Sequence, residues 1–298
     1  MDIITFLQDC KVPFVTEGKN VSEGWVSIKC LFCDDPSYHL GINIGGSYAY
    51  CWRCGWHPLE LIITKLAGTS KVESIEILKQ LRIRTEGHAP RKTVNKIQNN
   101  YRLPTGVSVM TARHRNYLEK RRFDPDYLEK QWKLIGTGPG STLDRIDFKH
   151  RIIIPVIWNN KEVSFTSRDI TGKSQLRYIT CPKEREIIPV KSILYGKQNL
   201  WKKTGICVEG PADVWRFGPQ SFATLGIEFT AKQVREITRA FRRVFVCYDN
   251  DAAAISQANK LIAELRFREV EAYQINIASD PADMDQTVAD YLVKQLLK

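Results

Sequence analysis

Carboxylates gather at three places in the C-terminal third of the chain: Glu209 and Asp213 in GICVEGPADVWRFG (205–218), Asp249 and Asp251 in VFVCYDND (244–251), and Asp280 and Asp283 in ASDPAD (278–283). Four or more carboxylates brought to one point repel one another. They either hold protons at neutral pH or take up a hard cation, and magnesium, which bridges carboxylates to phosphates while keeping its own waters, is the natural occupant. Capping of helix N-termini is the plainer use of aspartate; it accounts for one carboxylate per loop but not for a pair in all three. A second set lies near the other end. Cys30-x2-Cys33 and, after seventeen residues, Cys51-x2-Cys54 offer four thiolates at the spacing of a zinc ribbon, where two knuckles close a tetrahedron around one structural ion. A redox Cys-x2-Cys works alone and has no use for a second copy.

The acidic pairs need elements that bring them together. Each comes after a short apolar run: Ile206 to Val208, then Val244 to Tyr248, then the alternating segment Val270 to Ile277. Such a run reads as a buried strand, and helix signals succeed each: Pro211 at a first turn, Ala252 to Ala254, and Val288, Leu292 and Leu296 on one face. Strand–helix repeated three times predicts a parallel sheet with crossovers, and such sheets bind ligands at the carboxyl ends of their strands. All three acidic loops would then face one crevice.

Around the cysteines, residues 3–12 have helical spacing, Trp25 to Lys29 alternates, and His39 to Ile44 and Tyr48 to Tyr50 form a hairpin about Gly45-Gly46. His39 and His57 are spare ligands beside a complete four-cysteine shell. Trp25, Tyr38, Tyr48, Tyr50, Trp52 and Trp56, interleaved with Lys29 and Arg53, suit stacking on unpaired bases; some must pack, and Trp52 with Arg53 are the DNA-binding candidates. Two helices, from Pro58 to about Ala67 and Lys71 to Leu81, close this zinc-binding domain (1–84). Residues 85–104 lose apolar periodicity and read as a flexible linker. Beyond it, 108–130 is helical and basic, broken at Phe123-Asp124-Pro125, and 151–179 alternates in strands about Asn159-Asn160 and Thr171-Gly172. Arg151, Arg168, Arg177 and Lys191 are candidates for nucleotide phosphate or template. The class is mixed α/β: a four-cysteine zinc ribbon, a basic α+β half (105–204) and a parallel-sheet half (205–298).

Charge divides along the same line. Residues 1–204 hold 33 Lys and Arg against 20 Asp and Glu, whereas 205–298 hold 11 against 13, within a total of +11. A basic body beside an acidic pocket suits a polyanion held near bound metal. No run of about 18 apolar residues is present and MDIITFLQDCK is no signal peptide, so a soluble cytoplasmic protein without membrane contact is expected.

EGPADV, ATLGIEFTAKQ (223–233), YDNDAA and SDPAD resemble, in order and spacing, the Toprim domain, above all that of the primases of bacteria and their phages. The N-terminal module resembles the zinc-binding domain of the same enzymes in its all-cysteine form, and Arg151 to Gly196, ending ILYG, is similar to the basic half of their polymerase core, with the lysine before LYG displaced by one to Lys191. The sequence departs at Ala253, where the family usually has Gly, and at Asp-Pro-Ala-Asp, where bacterial primases commonly have Asp-Pro-Asp. The resemblance implies a DNA-directed RNA polymerase of primase type, a nucleotidyltransferase making short RNA primers on single-stranded DNA from ribonucleoside triphosphates. It implies that Glu209 is metal ligand or general base, with Asp213, Asp249, Asp251, Asp280 and Asp283 as magnesium (or manganese) ligands. No phosphate loop of the Gly-rich Lys-Ser/Thr kind appears, so a replicative helicase would be a separate partner. The alternatives are a non-catalytic Toprim and zinc recombination mediator, whose zinc site lies next to the Toprim segment, a Toprim nuclease, which lacks the ribbon, and a type IA topoisomerase, which needs a much longer chain.

Overall fold

The computed structural model describes residues 2–18, 21–33, 37–46, 48–81, 101–277 and 280–298. Of the expected linker only 101–104 falls among them; the rest, 85–100, lies outside the described residues. The chain forms two compact units, one drawn from Met1–Val94, Thr230–Arg242 and Leu261–Ala272, the other from Asn95–Phe229, Arg243–Lys260 and Tyr273–Lys298.

In the first unit, helix α1 (Ile3–Asp9) starts at Asp2, whose carboxylate accepts from the Thr5 N–H at 2.8 Å. Strands β1 (Phe14–Val15), β2 (Trp25–Ile28), β3 (Leu40–Asn43), β4 (Tyr48–Cys51) and β5 (Gly55–Pro58) make an antiparallel meander in chain order. The strand period of two decides what each side chain does. Along β4, Ala49 and Cys51 are buried while Tyr48 and Tyr50 face solvent. Helices α2 (Leu59–Ala67) and α3 (Lys71–Gln80) cover the inner face with Leu59, Ile62, Ile63, Leu66 and Leu78, and α3 opens on a Ser70–Glu73 capping box. Helix α2 stops at Gly68, whose φ of 63° is left-handed. A Cβ there would lie 2.6 Å from that of Ala231, in the helix Ala231–Ala240 of the same unit, so both conformation and space require glycine.

In the second unit, β6 (Val107–Ser108), helices α4 (Ala112–Lys120) and α5 (Pro125–Trp132), β7 (Ile135–Thr137), the small hairpin β8 (Thr142–Leu143) and β9 (Ile146–Asp147), and the long pair β10 (Arg151–Trp158) and β11 (Lys161–Asp169) lead to β12 (Tyr178–Thr180). Pro125 begins α5 behind an Asp124 cap, and Asn159-Asn160, both at positive φ, turn β10 into β11, as their sequence signals predict. The sheet runs β12-β11-β10-β7-β6.

The third sheet has the order β13 (Tyr195–Gly196), β15 (Ser221–Ala223), β14 (Thr204–Val208), β16 (Arg243–Val246), β17 (Glu271–Gln274). Helix α6 (Pro211–Phe217) follows β14, α7 (Ala231–Ala240) follows β15, α8 (Ala252–Phe267) follows β16, and α9 (Gln286–Leu296) follows a 3-10 turn at Pro281–Asp283. Strand β14 pairs in parallel with β15 on one side and β16 on the other. The chain therefore reverses direction across the sheet at β14, a topological switch point. The short strand β15, which ends at Ala223 where the ATLG stretch begins, was not among the expected elements.

Candidate functional site

Beyond the carboxyl ends of β14, β16 and β17 opens a cavity of about 680 Å³ lined by acidic and basic side chains. Its acidic wall, Glu209, Asp213, Asp249, Asp280 and Asp283, comes from the segments after β14, β16 and β17; its basic wall, Tyr117, Arg121, Arg168, Arg177 and Tyr178, comes with Asp169 from the stretch α4 to β12. The acidic loops are laced together. The Asp249 N–H donates to Glu209 Oε1 at 2.9 Å, Asn250 Nδ2 donates to the Ile277 carbonyl, and Cys247 N continues the ladder to Cys207 O at 2.8 Å. Three aspartates use an oxygen locally: Asp213 Oδ2 accepts from Gly210 N, Asp251 Oδ1 from Ala253 and Ala254 N, Asp280 Oδ1 from Ala282 N. Capping does not exclude a place at the cavity, since Asp213 and Asp280 also line it.

Burial, opposed by the Asp249 N–H and reinforced by the charges of Asp249, Asp251 and Asp280, pushes Glu209 up to about 7. Burial first, then Asp280, Asp249 and Glu209, likewise lifts Asp213 to about 7 although Gly210 N–H pulls the other way. Asp249 is raised by burial and then by Asp280, Asp251 and Asp283. These groups repel one another without touching, since the only described His, Cys, Asp or Glu atoms within 4.8 Å of one another in a group of three or more are the four cysteine sulfurs. An all-oxygen donor set spread this way fits magnesium, which keeps several waters and bridges carboxylates through them. Asp251 is exposed and outside the cavity lining, and Asp283 pairs with Arg121 at 2.7 Å.

The basic wall differs from expectation in two members. Arg168 and Arg177 reach the cavity. Arg168 Nε donates to the Tyr117 hydroxyl at 2.8 Å and its guanidinium lies 4.9 Å over the Tyr178 ring. Arg151 is 2% exposed and donates to Ser174 Oγ and to the Leu176, Arg177 and Ser167 carbonyls, which makes it a tie beneath the wall rather than a surface cation. Lys191 donates to the carbonyls of Thr224, Leu225 and Glu228 and so shapes the loop at the cavity edge. Tyr117, Arg121 and Tyr178 are wall residues that the sequence did not single out. For Arg121 a signal existed in the Arg-Arg-Phe-Asp-Pro helix break.

At the cysteines, Cys30 and Cys54 sulfurs are 3.5 Å apart and those of Cys33 and Cys51 3.9 Å. A tetrahedral zinc with Zn–S near 2.3 Å demands S···S separations of about 3.8 Å, so the four fit one ion. The Phe32 and Arg53 N–H groups donate to Cys30 and Cys51 sulfur at 3.4 Å, as a knuckle requires. His57 stacks on Phe32 and places Nε2 3.1 Å from Cys54 Sγ, a neighbour of the cluster. Beside it Trp52 is 70% and Trp56 60% exposed, with Tyr48 and Tyr50 also open, whereas Trp25 packs edge-on against Tyr48.

Residues 206–288 match the Toprim-like family. The DNA primase of Escherichia coli K12 is 23% identical over 303 residues, covering 85% of this chain and 51% of the relative, and that of Enterococcus faecalis is 26% identical over 184 residues, covering 56% and 28%. The crystal structure of the Aquifex aeolicus primase zinc-binding and RNA polymerase domains shares the fold, with a TM-score of 0.55 at 17% identity, covering all of this chain and 82% of that one. The chain thus spans about half or less of the length of these two curated relatives. No helix among the described residues is long and apolar enough to cross a membrane. In sequence the chain is thus similar to bacterial DNA primases, and it shares the fold of the primase zinc-binding and RNA polymerase domains.

Proposed function

We propose that the chain is a DNA primase, a nucleotidyltransferase that joins ribonucleoside triphosphates into short RNA primers on a single-stranded DNA template during replication. The observation that carries this reading is the cavity that gathers carboxylates together with guanidinium and aromatic groups at a switch point, since a triphosphate needs both cations and metal ligands. Magnesium, when held by Asp249, Asp251 and Asp280, would neutralise the triphosphate and polarise the α-phosphorus toward attack by a 3′-hydroxyl. The chain's own groups bind and orient. Arg168 and Arg177 hold phosphate oxygens, with Arg168 steadied by Tyr117, and the Tyr178 ring offers an apolar face beside them. Glu209, with a pKa near 7, is poised to accept the proton of the attacking hydroxyl near neutral pH. Asp213, buried under the loop, holds Gly210 N–H and with it the backbone next to Glu209.

In this scheme residues 1–84, with one structural zinc on Cys30, Cys33, Cys51 and Cys54, select the template through exposed Trp52 and its neighbour Arg53, and 105–298 polymerise. A separate replicative helicase supplies the unwound strand in the cytoplasm of the bacterium or phage host. The test is primer synthesis by the zinc-loaded chain on mixed-sequence single-stranded DNA with labelled ribonucleotides and magnesium. Short labelled RNA from the wild type and none from Asp249→Ala is the expected result. No product across templates, with helicase present, refutes it.

A further inference from the structure

Arg216, in α6, is 1% exposed and among the largest fully buried side chains of the protein. A buried guanidinium has five N–H groups to satisfy, and here every nitrogen has a partner. Nε and Nη2 both donate to the Ala282 carbonyl at 3.2 and 3.0 Å, Nη2 also to Arg121 O at 3.0 Å, and Nη1 to Arg122 O at 3.2 Å and Gln286 Oε1 at 3.0 Å. Its guanidinium carbon lies 4.2 Å from the centre of the Phe123 ring. Gln286 closes the circuit by donating from Nε2 to Arg216 O at 2.9 Å. Main-chain carbonyls and one amide, rather than a carboxylate, take these bonds. A charge has been buried to hold main-chain oxygens, a costly choice that an apolar residue on α6 would have avoided.

Two of those oxygens belong to neighbouring segments that both border the cavity. Ala282 sits between Asp280 and Asp283, and Arg121 carries the guanidinium that pairs with Asp283 at 2.7 Å and lines the same cavity. One side chain therefore fixes the backbone of an acidic-wall loop and of a basic-wall turn, segments distant in sequence, to each other and to the helix that opens behind Glu209. We propose that Arg216 is the positioning residue of this cavity: it sets the separation of the Asp280 loop from the Arg121 turn, and so the geometry in which a divalent cation and a triphosphate are held together. This rests on the proposed reading of the cavity as a metal and triphosphate site. Substituting residues that act behind a metal ligand commonly weakens affinity by about 10-fold or more, and the same scale is expected here.

The test uses the full zinc-loaded chain and manganese as the probe, with free ion followed by its electron paramagnetic resonance signal, and Asp280→Asn to define binding at the cavity. Arg216→Met, at temperatures where its melting curve shows it folded, is expected to raise the manganese Kd about 10-fold. Arg216→Lys, which keeps the charge and can still bridge two carbonyls, is expected to recover most of that loss. Hydrogen exchange at 121–123 and 280–286 should rise together in Arg216→Met. Should Arg216→Met not fold, Gln286→Ala removes one of the partners, with an expected rise of about 3-fold, a fraction of the full effect. Wild-type affinity in folded Arg216→Met, or in Gln286→Ala, overturns the proposal alone. Wild-type protein that binds no manganese in a manner abolished by Asp280→Asn overturns the reading of the cavity, and the proposal with it.

Discussion

Asp213→Asn is expected to make the protein more stable while impairing the cavity's chemistry. Asp213 is 8% exposed, and burial together with Asp280, Asp249 and Glu209 lifts its carboxyl from 3.8 to about 7 against the pull of Gly210 N–H. At about 1.4 kcal/mol per pKa unit, a carboxylate at pH 8 costs the folded state about 4 kcal/mol. Because the folded value lies above the unfolded one, this cost is absent below about pH 4, grows between about 4 and 7, and is complete above 7. An asparagine keeps the acceptor for Gly210 N–H and never ionises. A buried amide returns part of the gain, leaving about 2–4 kcal/mol, and at roughly 2–4 °C per kcal/mol for a unit of this size Tm should rise by at least ~5 °C. The assay is paired melting of wild type and variant in magnesium-free buffer at pH 4.5 and 8. The gap should be wide at pH 8, small at pH 4.5, and narrowed at pH 8 by added magnesium, which relieves the wild type only. A gap equal at both pH values, or no gain at pH 8, would show that Asp213 does not carry a buried negative charge and would refute the electrostatic account of the acidic wall.

Cys51→Ser should release about one zinc to a chromogenic chelator and unfold the β2–β5 meander, because structural zinc supplies ~10 kcal/mol or more to modules of this kind. Trp52→Ala, at a side chain 70% exposed, should leave Tm unchanged and weaken single-stranded DNA binding by about 1–3 kcal/mol, read by fluorescence anisotropy. Arg151→Ala and Arg168→Ala should separate cleanly: the first strands carbonyl acceptors in a buried place and lowers Tm, by ~3 kcal/mol or more in stability; the second keeps Tm and raises the KM for ribonucleotides about 10-fold or more, the scale of a charge-assisted phosphate contact.

The acidic loops were legible because a parallel strand covered on both faces is an unbroken apolar run, and the loop after such a strand must lie at the sheet's carboxyl edge. Ile206 to Val208 and Val244 to Tyr248 announced that edge without any tertiary knowledge. The thiolates were legible because knuckle spacing is local. The basic wall was not. Tyr117, Arg121 and Tyr178 come from a helix, a helix break and an edge strand, and only packing brings them to the cavity that Asp249 lines. Arg151 shows the converse error: it heads the run Ile152-Ile153-Ile154, and a strand buried on both faces covers its first residue as well, so the arginine had to find partners inside. Strand β15 was missed because three residues carry no period; its neighbours β13 and β14 define it. Arg216 could not be found at all from sequence, since an arginine in a seven-residue helix reads as surface.

The close fit of Gly68 to Ala231 also bears on how the protein is born. The first unit is not a continuous stretch: it takes in 230–242 and 261–272 as well as the cysteine-bearing N-terminal part. A ribosome releases the meander and its thiolates before 230–272, so a zinc ion could bind them while that part of the chain is still unmade. The α2 terminus, however, meets Ala231 only after the parallel sheet's first crossover has been translated. During that interval the α2 surface that will receive α7 is exposed, and a zinc ion on the four thiolates would keep the nascent module in shape to receive it. Limiting zinc during synthesis is therefore expected to do more harm than removing it from the finished protein.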